Sequence, residues 1–527
     1  MRLVSASLLV CALSATASAF GLDTLVKLDS GWVAGVGAPV RSYKGIPYAA
    51  PPTGDLRWKA PQPPKPWAGI KVANEFMPIC PQMELTPGRQ SENCLGINVW
   101  TPAKSASAKL PVMVWIHGGG FTIGASSQTV YDGTALANQG VVVVSFNYRL
   151  GILGFFSHPQ LSAESPRGVS GNQGLLDMVA ALQWVKRNVA GFGGDPQNVT
   201  IFGESAGGTA VCLLLVMPDA KDLFHKAVSE SAAWMFGPTS HAKQSWYGRV
   251  PHESFGEKMG DLQTMRKKSV ADLMKNGPTL ASSGEATERG EMFTYAVDGV
   301  VIPDDPARLF ASGRFHAVPL MAGTNADEGT LLGGPPVKTV QSLKDYAAKQ
   351  FPGASDAVLA VYAAGNDAEA YPVATKLSGD ALFLAGTREV LRAMSKRNPN
   401  TYQYYFTRIN GVGRRIKWGS YHASEIPYVF GNLPDSAFGT VASLFGNFAP
   451  DFADFNERDA ALSRDMSAAW VQFAKTGNPN AAGRSWWPAF TQGESYFEFG
   501  DESRAGKALR KQQLDVLVNY AEGLRKH

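Results

Sequence analysis

The sequence predicts an α/β fold, with a mostly parallel central sheet, helices on its faces and cap elements inserted above it. Continuous apolar, β-branched runs at 111–116, 141–146, 199–202 and 318–322 read as strands buried on both faces. Segments of helical period separate these runs, which is the alternation that a parallel sheet requires. No internal repeat or low-complexity linker divides the 527 residues, and 45% hydrophobic content is enough for a large core.

In chain order, Met1-Arg2 supplies one positive charge, 3–13 is apolar, and Ala17-Ser-Ala19 has the small residues of a cleavage site. This predicts a signal peptide at 1–19 and a single exported catalytic domain at 20–527, periplasmic or secreted. The apolar stretch is shorter than the roughly 20 residues of a spanning helix, so stable membrane insertion is not expected. The net charge of +4, with no dense basic run except Leu524-Arg-Lys-His527, offers a nucleic acid nothing to bind.

Cys80 and Cys94 enclose 81–93, rich in Pro, Gly and polar residues, which suits a loop-closing disulfide in an oxidising compartment. Such a bridge contributes about 3 kcal/mol in the chain-entropy model. Cys212, within Thr209-Ala-Val-Cys-Leu-Leu-Leu-Val216, reads as a small core residue. No Cys/His spacing suits zinc, so no metal is expected and no cofactor either.

The stretch 173–190 places Leu175, Leu176, Val179, Leu182 and Val185 on one helical face and ends at Gly191, Gly193 and Gly194. The intervals 234–315, rich in charge and breakers, and 331–400, helical in pattern, read as excursions that cover the sheet. An amphipathic helix follows at 457–475, closed by Gly477, and a basic one at 507–526.

The chemistry concentrates in Val199-Thr-Ile-Phe-Gly-Glu-Ser-Ala-Gly-Gly208, where a strand runs through G-x-S-x-G into an apolar helical run. A serine hydroxyl becomes a useful nucleophile when a tight strand-to-helix turn exposes it, so Ser205 is the candidate, with Gly203 and Gly207 allowing the turn. His117-Gly-Gly-Gly-Phe121 leaves the end of the strand predicted at 111–116. The amides of Gly119 and Gly120, with that of Ala206 at the start of the next helix, would form a three-donor oxyanion hole.

A serine nucleophile also needs a base and an orienting carboxylate, and in the α/β fold with this strand-turn-helix serine they follow it in the chain in the order Ser, Asp/Glu, His. The downstream histidines are His225, His241, His252, His316, His422 and His527. His422 stands out, because Gly419-Ser-Tyr-His-Ala-Ser-Glu-Ile-Pro-Tyr-Val-Phe-Gly431 is a loop just beyond the strand predicted at 402–407. His316 immediately precedes a buried strand and reads as structural, and His527 is terminal. Asp327 or Glu328, in Gly323-Thr-Asn-Ala-Asp-Glu-Gly329, supplies the carboxylate, and periodicity does not choose between them. Glu204, beside Ser205, either tunes the local field or accepts a structural hydrogen bond.

Taken together these residues resemble the type-B carboxylesterase family of α/β-hydrolases. The likeness begins at Tyr43-Lys-Gly-Ile-Pro-Tyr-Ala-Ala-Pro-Pro52, Leu56-Arg-Trp58 and Glu92-Asn-Cys-Leu-Gly-Ile-Asn98. It continues through the triple glycine, Asn147-Tyr-Arg-Leu-Gly151, Gly171-Asn-Gln-Gly-Leu-Leu-Asp177 and the Ser205 turn, and ends at Trp470-Val-Gln-Phe-Ala-Lys-Thr-Gly-Asn-Pro479. The resemblance implies a Ser205, Glu328, His422 triad, an oxyanion hole from Gly119, Gly120 and Ala206, and a Cys80 to Cys94 disulfide. It implies a serine carboxylesterase that acts on small-molecule esters through an acyl-enzyme.

Two departures bear on this. Asn93 stands where the family usually has an acidic residue, which affects a local loop interaction. The loop 81–93 is short and has no aromatic residue, so a choline cation would lack its ring face, and a cholinesterase is excluded. Two alternatives differ in class: a silent partner-binding homologue, which would lack part of the triad present here, and a lipase, amidase or thioesterase on the same site, which fold alone does not separate. Trp234, Trp418 and Phe121 are candidates to line the pocket.

Overall fold

The computed structural model describes residues 24–83, 86–232, 249–275, 294–433, 455–481 and 486–525. The predicted signal segment, Trp234, His241 and His527 lie outside the described residues. The central sheet contains β1 (Arg41–Pro47), β2 (Gly96–Thr101), β3 (Leu110–Ile116), β4 (Val142–Phe146), β5 (Gly194–Glu204), β6 (Lys226–Glu230), β7 (Leu320–Asn325), β8 (Thr401–Phe406), β9 (Ser495–Phe499) and β10 (Arg504–Lys507). Their spatial order is β10-β9-β8-β7-β6-β5-β3-β4-β2-β1, parallel from β9 to β4 and antiparallel at both ends. This is the mostly parallel sheet that the apolar runs predict. A separate three-stranded sheet contains Leu25–Lys27, Trp32–Ala34 and Ile70–Val72, its last strand following β1 in the chain.

Alternation along β3 shows how the core is split. Val112, Val114 and Ile116 join one apolar cluster, with Leu175, Leu182 and Leu213, while Met113 and Trp115 join another on the opposite face, with Met466 and Trp470. Helices α1 (Gln173–Asn188) and α2 (Ala206–Val216) cover the first face, and α3 (Glu457–Thr476) covers the second. Each fully buried Val, Leu or Ile side chain contributes roughly 1.5–3 kcal/mol. The α3 helix starts in a capping box between Asn456 and Asp459 and stops at Gly477, whose φ of 78° an L side chain would resist.

Register brings the loops of interest to one end of the sheet. Ile116 pairs with Gly203, Glu204 with Glu230, and Asn325 with Phe406, so the chain segments that follow these strands emerge side by side. Several elements differ from the sequence reading, and the strand predicted at 318–322 runs Leu320–Asn325. The C-terminal helix starts at Lys511, because Arg504–Lys507 pairs with β9 instead. The strand β6 carries Lys226 and Glu230 inside the sheet, a pattern that hydrophobic periodicity does not flag. The predicted run at 199–202 extends to 11 residues and includes Glu204. Among the described residues no helix is long and apolar enough to cross a membrane.

Candidate active site

Ser205 occupies the turn between β5 and α2 with φ 56° and ψ −122°, a region that non-glycine residues rarely visit. Such a conformation costs on the order of 1–3 kcal/mol and persists where its surroundings enforce it. Here the Ser205 amide donates to the Glu230 carbonyl at 2.9 Å, and the Thr209 amide donates to the Ser205 carbonyl at 2.8 Å. The flanking glycines serve a different purpose from the one the sequence suggests. The positive φ falls on Ser205 itself, whereas a Cβ at Gly207 would sit 2.0 Å from the Ile116 carbonyl oxygen and one at Gly203 would sit 2.6 Å from it. Close approach of the turn to β3 is what excludes a side chain.

The glycine loop lies against this turn, since a Cβ at Gly118 would meet Ser205 Cβ at 3.1 Å. Gly119 (φ 103°) and Gly120 (φ 60°) form a tight turn closed by the Thr122 and Ile123 amides on the Gly119 carbonyl, both at 3.0 Å. Among the described residues the amides of Gly119, Gly120 and Ala206 have no hydrogen-bond partner in the protein. Three unused donors beside a half-buried serine are suited to receive a developing oxyanion.

The support of that loop comes from residues the sequence reading did not assign. The Tyr148 hydroxyl donates to the His117 carbonyl at 2.8 Å, and its ring stacks on the His117 imidazole at 4.4 Å. Burial lowers the His117 pKa to about 4, so this imidazole stays neutral. Gln82 brackets Gly124 from the other side, accepting its amide at 2.7 Å and donating to its carbonyl at 2.9 Å. Gln82 belongs to the loop closed by the Cys80–Cys94 disulfide, whose S–S distance is 2.01 Å. Next to it, Arg57 and Glu92 form a two-point ion pair at 2.6 and 2.7 Å, while the backbone N–H of Asn93 donates to the Ser91 hydroxyl oxygen at 3.1 Å.

His422 is buried, and its Nδ1 lies 2.6 Å from Oε2 of Glu328. The second carboxylate oxygen of Glu328 accepts the Asn325 amide at 2.8 Å, which fixes its orientation. Asp327 faces elsewhere and accepts the Ser420 amide at 2.8 Å. On the other edge of the imidazole, Nε2 lies 3.1 Å from Oε1 of Glu204, without the alignment of a hydrogen bond. Burial alone would lower the imidazole pKa, but Glu204 and then Glu328 outweigh it and push it up to about 9. Burial pushes Glu204 up to about 8, opposed by His422 and reinforced by Glu425 and Glu328.

The remaining candidates lie apart from this cluster. His316 Nε2 donates to the Met217 carbonyl at 2.8 Å, and the His225 Nδ1 accepts the Val199 amide at 3.2 Å, both as parts of the scaffold. His252 is buried within the helix Arg249–Lys258. Phe121 is fully buried, edge-on to Tyr148 and tilted on Phe155, so it packs the core. Trp418 is half-buried against Tyr421.

Comparison with known proteins identifies the family. The model of the carboxylesterase family matches residues 23–517. The chain is 40% identical over 488 residues to the fumonisin B1 esterase of Sphingopyxis macrogoltabida, covering 91% of this chain and 87% of that protein. It is 36% identical over 466 residues to the para-nitrobenzyl esterase of Bacillus subtilis (strain 168), covering 86% and 89%. A solved structure of a PNB esterase superposes with a TM-score of 0.76 at 33% identity, covering 93% of this chain and all of that one. The chain belongs to the carboxylesterase family and is a carboxylic ester hydrolase.

Proposed function

We propose that Ser205 is the nucleophile of this esterase, with His422 as its base and Glu328 as the carboxylate that orients the imidazole. The observation that carries this reading is the 2.6 Å contact between Glu328 and Nδ1 of His422, which leaves Nε2 without an aligned partner among the described residues and close to the residue beside Ser205. Nε2 takes the Ser205 proton as Oγ bonds to the ester carbonyl carbon, and the Gly119, Gly120 and Ala206 amides hold the resulting oxyanion. His422 returns the proton to the departing alcohol oxygen. A water then loses its proton to His422, attacks the acyl-enzyme, and releases the acid and a restored Ser205.

The mature chain is a single catalytic domain that begins at Phe20 after removal of 1–19 and works in the periplasm or outside the cell. The Cys80–Cys94 bridge supports an oxidising compartment. Initial rates on p-nitrophenyl acetate, butyrate, octanoate and decanoate, with Ser205→Ala alongside, test the assignment. Turnover favouring short chains and abolished in the variant is the expected result. A preference for long chains at an interface would make the enzyme a lipase, and turnover retained in Ser205→Ala would remove that serine from the mechanism.

A further inference from the structure

One face of the proposed catalytic imidazole is covered by an aromatic ring from a distant part of the chain. The ring of Phe383 stacks on His422 with centroids 4.8 Å apart and planes 20° from parallel. Phe383 sits in a single π-helical turn, Asp380–Leu384, set between the α-helices Asp367–Gly379 and Ala385–Ser395. Such a turn adds one residue to an otherwise regular helix, redirects the side chains that follow, and is frequent at functional sites.

The π turn is fastened at its first residue. Asp380 is buried, accepts the Tyr362 hydroxyl at 2.7 Å and pairs with Arg510 at 2.5 Å. Arg510 also donates to the Tyr405 hydroxyl on β8 and to the carbonyl of Ala326, two residues before Glu328. The helix leading into the turn meets the Glu328 segment backbone to backbone. A Cβ at Gly379 would sit 3.0 Å from Glu328 Cβ, and one at Gly329 would sit 1.8 Å from the Thr375 carbonyl oxygen. The element that carries Phe383 is therefore packed against the loop that carries the Glu328 carboxylate.

We infer that Phe383 is a positioning residue for His422: the π turn presses its ring flat on the imidazole, blocking tilt while leaving the ring free to slide in its own plane. In-plane freedom matters because Nε2 lies against Glu204 here and must reach the Ser205 hydroxyl to take its proton. A tilted imidazole would keep its Glu328 contact yet lose the line to Oγ, and a misplacement of about 1 Å can cost about 100-fold in rate. This rests on His422 being the base.

The test compares Phe383→Met and Phe383→Leu, which keep an apolar side chain without a ring face, with Phe383→Tyr, which keeps the ring. Steady-state kinetics on p-nitrophenyl acetate should show kcat about 10- to 100-fold lower in the first two, KM within about threefold of the native value, and near-native kcat in Phe383→Tyr. A raised KM with native kcat would make Phe383 a pocket wall, and Phe383→Tyr as slow as Phe383→Met would make ring stacking irrelevant. Activity lost only in proportion to folded protein, read by near-UV circular dichroism, would likewise overturn the inference. Turnover retained in Ser205→Ala would instead defeat the triad assignment.

Discussion

Oε1 of Glu204 lies 3.1 Å from Nε2 of His422, opposite the Glu328 contact on Nδ1, so the buried imidazole is bracketed by two carboxylates. Both favour imidazolium, and only neutral imidazole can accept the Ser205 proton. Burial lowers the His422 pKa, but Glu204 and Glu328 together push it up to about 9, so kcat/KM on a neutral ester should climb through the alkaline range. Replacing Glu204 with Gln removes the stronger of the two charges, which lowers the imidazole pKa and moves the acid limb of the profile towards neutrality. A limb that stays in place across pH 5 to 10 would show that Glu204 does not hold the proton.

Glu425 has zero exposure and accepts the Asn325 side-chain amide at 2.5 Å. Burial, reinforced by the Glu328 charge, pushes its pKa up to about 7 against that hydrogen bond. A raised folded pKa means stability that is complete below the unfolded value of about 4.5 and is lost as pH rises through 7. Glu425→Gln keeps the shape without the ionisation. Its thermal midpoint relative to the native protein should therefore be higher at pH 8 than at pH 5, and an equal difference at both would refute the sign.

Gly207→Ala is expected to lower kcat/KM by about 100-fold or more. The new Cβ would fall 2.0 Å from the Ile116 carbonyl oxygen, so the turn must move away from β3 and carry the Ala206 amide with it. Loss of one oxyanion donor has that order of effect. Near-native kinetics in a folded variant would show that the strand ends adapt.

Arg149 and Asp177 form a buried two-point ion pair at 2.7 and 2.8 Å. Burial raises the Asp177 pKa while Arg149 opposes it, so Arg149→Met leaves a carboxylate with no compensating charge. The variant should lose about 3–5 kcal/mol in urea unfolding, and the double variant Arg149→Met with Asp177→Leu should recover part of that. A double variant no better than the single would place the cost in packing instead of charge.

The sheet and the Ser205 turn were legible because apolar runs and glycine spacing are local signals. Buried parallel strands need to be apolar on both sides, and a strand-to-helix turn pressed on its neighbour needs glycine. The Asp327 and Glu328 pair shows the limit of local pattern: periodicity does not separate two adjacent acids, the family resemblance implies Glu328, and in the structure the two face different ways, Glu328 to the Asn325 amide and Asp327 to the Ser420 amide. Phe383 carried no signal at all, because an aromatic residue in a helical stretch reads as core. The π turn that aims it depends on Asp380 meeting Arg510, 130 residues later in the chain.

By itself the sequence determined the α/β class, the Ser205 turn with its glycine loop and the family, and it supplied the proposed triad, since each is written in contiguous motifs. Tertiary structure alone decided that Glu204 faces His422, that Tyr148 and Gln82 brace the glycine loop, and that Phe383 covers the imidazole. Those contacts join residues far apart in the chain. Their existence follows from strand register and helix packing, which depend on the whole core.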